Sequence, residues 1–182
     1  MNNAVGFGFL GLGCAFFVGI IVVVVYYLLT LQKALQRCHP DNRRMQPGLV
    51  WLNLVPCLNL IWQFLTAIQV PDSLKAEFQD RGLDEGGDYG KTIGLAYCIL
   101  GLVGGVVQNV PQLAAPGNQN MQFVGLGLGG LFGLINLALW ITFWVRIAGY
   151  SRQLADHDET RPADDYEDDR RRRPRDEDEY DD

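Results

Sequence analysis

Asn59, Gln63 and Thr66 follow one another at spacings of four and three inside a hydrophobic stretch. On a helix that spacing puts them on one face. Amides and hydroxyls at bilayer depth offer hydrogen bonds rather than proton transfer. Such a face can line a path for a permeant, or it can hold membrane helices together. Asn53 lies six residues before Asn59, across Pro56, and joins the face only if the chain turns it there. Asn136 stands alone in a later stretch. Helix-to-helix bonding is the expected role of all five, because amides commonly serve it. Other chemistry has thinner support. Cys38, His39 and Asp41 are nominal metal ligands, but no second cluster completes a set of four. Asp84, Glu85 and Asp88 surround Gly86 and Gly87, yet the spacing is wrong for an EF-hand, and a solvated turn is expected. The four cysteines, at 14, 38, 57 and 98, form no CxxC pair. They imply neither a disulfide framework nor a zinc site. No Ser/His, paired-carboxylate or metal set lies within the hydrophobic stretches, so no enzyme, cofactor or metal is expected.

Four hydrophobic stretches carry these residues, at 4–31, 48–70, 92–110 and 123–145. Roughly 20 apolar residues cross the hydrocarbon core as a helix. The first, third and fourth stretches are long enough to span, and Trp140, Trp144 and Tyr150 place an aromatic band at the end of the fourth. The second stretch behaves differently. Pro56 lacks an N–H and clashes with the preceding turn, which predicts a kink or break there. Folding the segment at Pro56 brings Trp51 and Trp62 to similar depth near one interface, where indoles are best served.

Charge gives the same division. The chain has fifteen Lys and Arg. Lys33, Arg37, Arg43 and Arg44 precede the second stretch, Lys75, Arg81 and Lys91 follow it, and the other eight lie from Arg146 onward. Residues 1–32 and the connection 111–122 have no charged side chain. If the second stretch dips in and returns, the fifteen cations fall on one side and none on the other; if it spans, the division is eleven against four. Lys and Arg resist translocation, so the first division scores better. The fold class expected is an all-α integral membrane protein. It has three long transmembrane helices plus one Pro-broken segment, either re-entrant or in-plane, or else a fourth kinked span.

Small residues recur at every fourth position: Gly11, Ala15 and Gly19; Gly101 and Gly105; Gly125, Gly129 and Gly133. Such spacing lets helix backbones approach closely. Packing within one subunit is the first expectation, and a homo-oligomer the second. After Pro71, Asp72 can cap a short amphipathic surface helix over 72–81, which Gly82 ends in the left-handed conformation with Leu83 packing behind it. Residues 1–150 then form the membrane domain. Residues 151–182 hold fourteen acidic and seven basic side chains in blocks, with few apolar ones. A disordered polyampholytic tail is expected there. Acidic blocks flank the run of arginines at 170–175, so nucleic acid is not an expected partner.

The pattern Trp51-x-x-x-Val55-Pro56-x-x-Asn59-Leu60, followed by Trp62, resembles small bacterial membrane proteins with a Trp/Pro-x-x-Asn core in their second hydrophobic segment. Ile147-Ala148-Gly149 is similar to an element near a later helix end of those proteins. The resemblance implies a bacterial inner membrane and no particular activity. The expected function is a membrane-embedded structural or interaction protein. It would present a surface helix and a cytoplasmic charged tail to soluble partners. The alternative is an oligomeric channel or transporter component using the polar face of 48–70.

Overall fold

The computed structural model describes residues 2–83, 86–114 and 117–160, with side chains from Gly13 onward. Its elements are α1 (Asn2–Arg37), a 3-10 turn (Pro40–Asn42), a 3-10 helix (Pro47–Leu54), α2 (Pro56–Asp80), α3 (Lys91–Val107), α4 (Val110–Ala114) and α5 (Gln119–Thr160). Among the described residues there is no strand. Three helical stretches are long and apolar enough to cross a membrane: Gly13–Arg37, Lys91–Ala114 and Gln119–Thr160. α2 is not one of them, because Asn59, Gln63 and Gln69 interrupt it and Asp72, Lys75, Glu77 and Asp80 charge its second half.

Of the kink or break expected at Pro56, the structure has the break. Val55, the residue before it, is extended at φ −83° and ψ 112°, and Pro56 takes the first position of α2. A residue preceding proline is pushed from helical geometry, whereas proline suits a helix start, where its missing N–H costs nothing. The chain therefore changes direction at Val55 and Pro56. The 3-10 helix then runs back against α2. Arg44 N–H bonds the Ser73 hydroxyl at 2.8 Å, and the Asn53 amide bonds Thr66 at 3.0 Å. The rising number on one arm meets the falling number on the other, which is the register of a hairpin.

Pro71 brings a second correction. A separate surface helix over 72–81 does not form; α2 continues through Pro71 to Asp80. The proline removes one backbone bond, a cost of about 3 kcal/mol in a helix interior. Burial of Ala67, Val70, Leu74 and Phe78 on one stripe offsets it. The exit is as the sequence predicts. Gly82 has φ +68°, and its N–H reaches Gln79 O while Leu83 N–H reaches Phe78 O at 2.8 Å. That pair of bonds closes the helix end, with Leu83 packed on the core.

The core lies at one end of the molecule. α1 contributes Leu28, Leu31, Ala34 and Leu35, and α5 contributes Phe143, Ile147 and Leu154. α5 does not stop near Arg146 but continues to Thr160, so residues 151–160 are helical rather than tail. Ser151 and Leu154 are buried there, which fixes this part of the chain. The expected tail beyond it, 161–182, lies outside the described residues.

Candidate functional site

The predicted polar residues are mostly committed to neighbouring elements. Asn53 donates to Val50 O at 2.8 Å and to Thr66 Oγ1 at 3.0 Å, closing the two arms of the hairpin. Thr66 is buried. Gln63 makes a side-chain polar contact with Tyr97 of α3, Tyr97 with Tyr27 of α1, and Tyr27 with Trp140 of α5. One polar chain thus ties four helices together. Trp51 donates to Gln32 Oε1 at 2.8 Å, and Trp62 to Leu49 O at 2.6 Å. Asn59 is half-buried on α2, a full turn before Gln63. Asn136 is apart from this set. It borders a cavity of about 190 Å³ between α3 and α5, where its Oδ1 is buried with no hydrogen-bond partner.

The glycines divide into two groups. A Cβ on Gly125 would stand 2.7 Å from Gln108 O, and one on Gly129 2.6 Å from Gln108 Oε1. A Cβ on Gly101 would stand 3.3 Å from Asn136 Nδ2. These three sit where α3 and α5 meet. Gly19, Gly105 and Gly133 have open space where a side chain would go. Ala15 is exposed, and the packing of Gly11 lies outside the described residues. Gly94 and Gly104, absent from the predicted set, are tight: Cβ atoms there would meet Phe143 at 2.9 Å and Phe132 at 3.0 Å.

A charged base stands at the core end, and sequence reasoning missed it as a unit. Glu77 of α2 is 2% exposed. It accepts from His39 N–H at 2.6 Å, Asn42 Nδ2 at 3.0 Å and Arg81 Nε at 2.7 Å. Arg81 also pairs with Asp158 of α5 and donates to Arg37 O. Burial alone would lower the Arg81 pKa; the bonds to Glu77 and Asp158 outweigh it and raise it. Arg37 reaches the Ser151 hydroxyl at 2.7 Å, clamping α1 to α5. Lys91 pairs with Asp72 at 2.9 Å, joining α3 to α2. The single-sequence signal for this cluster was weak, because its members are spread over 120 residues and each looks like an ordinary loop charge.

The remaining candidates are placed as follows. Cys38 is buried and donates to Ala34 O at 3.4 Å; burial, then the negative Glu77, pushes its thiol up to about 12. His39 Nδ1 faces Asp41 at 3.3 Å on the surface. Asp88 is exposed and also caps α3. The Thr92 hydroxyl, then the Gly90 and Thr92 N–H groups at 3.1 Å, hold its carboxyl below the usual value. Tyr89 beside it adopts φ +52°, held by ring contacts with Phe78 at 5.1 Å and Tyr150 at 4.9 Å. Comparison with family models, curated proteins and solved structures finds no match, so the arrangement is read from its own chemistry.

Proposed function

We propose that the chain is a membrane-embedded structural or interaction protein of a bacterial inner membrane. Its three spans and a re-entrant hairpin hold a cytoplasmic base, from which the charged tail reaches soluble partners. The observation that carries the reading is the clamp on α5. Ser151 is bonded to Arg37 and Asp158 to Arg81. The tail therefore departs from a helix held at two points rather than from a membrane edge. Commitment of Asn53, Gln63 and Thr66 to internal contacts supports the same reading over a conducting path. The assignment to a bacterial inner membrane rests on the Trp/Pro-x-x-Asn resemblance.

Re-entry of the hairpin is supported by register and exposure. Gln63 lies beside Tyr97, Ala67 beside Gly94, and Asp72 beside Lys91. Continuing that antiparallel register brings Leu58 near Leu102, about 16 Å along α3 from Lys91 at 1.5 Å per residue. That is roughly half of a 30 Å hydrocarbon core. Leu54, Leu60 and Ile61 at the tip are 50%, 57% and 66% exposed, which suits lipid and not water. Both arms return to the base, which keeps the loop cations on one side.

Two experiments test the proposal. Lys33→Cys and Lys75→Cys should label with an impermeant thiol reagent from the same face; labelling from opposite faces rejects the hairpin. Affinity capture with the full chain and with a chain ending at Thr160 should differ in the partners recovered. Identical recovery rejects the tail as the docking element. The deletion begins after Thr160 because residues 151–160 belong to the clamp.

A further inference from the structure

A cleft of about 900 Å³ opens between the 40–49 segment and α2, bounded by Arg43, Arg44, Met45, Leu49, Trp62 and Gln69 among others. Its volume falls in the range of small-molecule sites. We infer that this cleft binds the headgroup of an anionic phospholipid of the cytoplasmic leaflet. Its location at the interface rests on the proposed re-entry of the hairpin.

Three features support that occupant. The lining has two guanidinium groups and no carboxylate. Arg43 is held in place by bonds from Nε to Cys38 O and from Nη2 to Gln36 O, both 2.9 Å. That arrangement leaves Nη1 to meet a ligand oxygen with little ordering cost. Arg44 is exposed, and its backbone is fixed to Ser73; among the described residues no ion pair engages its side chain. Met45, Leu49 and Trp62 give the lining its apolar side, and exposed apolar residues follow beyond it. Leu58 lies one turn from Trp62 on the same face of α2 and is 42% exposed. A basic mouth above an apolar stripe matches a molecule with an anionic head and an acyl chain. The acidic tail of this same chain matches only the mouth, having few apolar residues to lie along the stripe. Trp62 is anchored through its N–H to Leu49 O, which sets the ring at the boundary between the two halves.

The test uses the full-length protein in detergent and native mass spectrometry, with phosphatidylglycerol and phosphatidylcholine offered in competition. Phosphatidylglycerol should be retained preferentially. Arg44→Glu should reduce that retention roughly tenfold, the scale of one lost charge-assisted bond. Arg152→Glu, at an exposed cation outside the cleft, should leave retention unchanged. Equal retention of the two lipids, or equal loss with Arg152→Glu, overturns the site. Glycerol 3-phosphate should not displace the lipid at millimolar concentration; displacement would make this a site for a soluble phosphate. A benzophenone-bearing residue at position 46, in the lining but outside the proposed charge contact, should capture lipid when irradiated in phosphatidylglycerol vesicles. Capture of peptides from 161–182 instead would show that the tail fills the cleft and overturn the proposal. Because retention is read in detergent, loss of the site and failure of hairpin re-entry are separate outcomes.

Discussion

Glu77→Ala should be among the most damaging single substitutions in the chain. The carboxylate is 2% exposed and serves three donors from three separate places: His39 N–H, Asn42 Nδ2 and Arg81 Nε. Removing one member of a buried ion pair costs about 3–5 kcal/mol, mainly because the remaining charge stays buried without compensation. Arg81 keeps Asp158, and Asn42 keeps Asp80 at 3.2 Å, which argues for the lower end. The His39 N–H keeps no comparable partner, but His39 is exposed and water can take the carboxylate's place. A loss of about 3 kcal/mol is therefore expected. At about 2–4 °C per kcal/mol for a chain of this size, the melting temperature should fall by about 6–12 °C.

The internal control is the pair between Lys91 and Asp72. Its length, 2.9 Å, is close to the 2.7 Å of Arg81 and Glu77, but its side chains are 38% and 36% exposed, against 14% and 3%. Solvent screening limits an exposed pair to about 1 kcal/mol or less. Lys91→Ala should accordingly lower the midpoint by no more than about 4 °C. Both variants would be followed by thermal melting of detergent-solubilised protein, read by size-exclusion recovery. Equal shifts for the two would refute the reasoning, since burial, not distance, is what separates them.

Three further outcomes follow from the same geometry. Gly125→Ala should destabilise by about 1–3 kcal/mol, because its Cβ would meet the Gln108 carbonyl and backbone cannot give as a side chain can; a melt at the parent temperature would contradict this. Gly133→Leu should leave the isolated subunit as stable as the parent, having open space. If a homo-oligomer forms on that face, in-membrane crosslinking should lose its higher species, and their persistence excludes the face. Cys38 should resist maleimide at pH 8 until the fold opens, whereas denatured protein should label fully. Its folded pKa, about 12, lies above the ordinary thiol value of 9.0. The folded state therefore holds the proton more tightly than the unfolded state. This contribution to stability is complete below pH 9 and declines as pH rises from 9 toward 12; a melt that stays flat across that window would contradict it.

The three long helices were readable because twenty apolar residues in a row admit few other fates. Arg37, Arg81, Lys91 and Arg146, which flank the hydrophobic stretches in sequence, have partners at one end of the fold. Pro56 was legible as a change of direction but not as a helix start, because that depends on how Val55 is held by the bonds around it. Pro71 was misread for a tertiary reason: local rules end a helix there, and only the burial of Thr66 to Phe78 shows why this one continues. Asp158 and Ser151 could not be assigned from composition. In a charge-rich segment one carboxylate looks like the next, and only the arrival of Arg81 distinguishes it.

The distribution of polar groups gives the architecture its logic. Within the hydrophobic half, the named commitments are neutral and join neighbouring elements: Asn53 to Thr66, Gln63 to Tyr97, Trp144 to Thr30 at 3.0 Å. Such bonds hold helices in register without placing a charge in lipid. Among the described residues, ionised pairs occur only at the base, where their outer members are partly exposed. Glu77 is the exception, a buried carboxylate at the meeting point of α2, the 38–46 loop and Arg81, which itself bridges to α5. A neutral side chain there could fill the space, but it could not hold Arg81 between Glu77 and Asp158. The charge is thus required by the clamp that holds α5 to α1 and α2 through Arg37, Arg81 and Glu77.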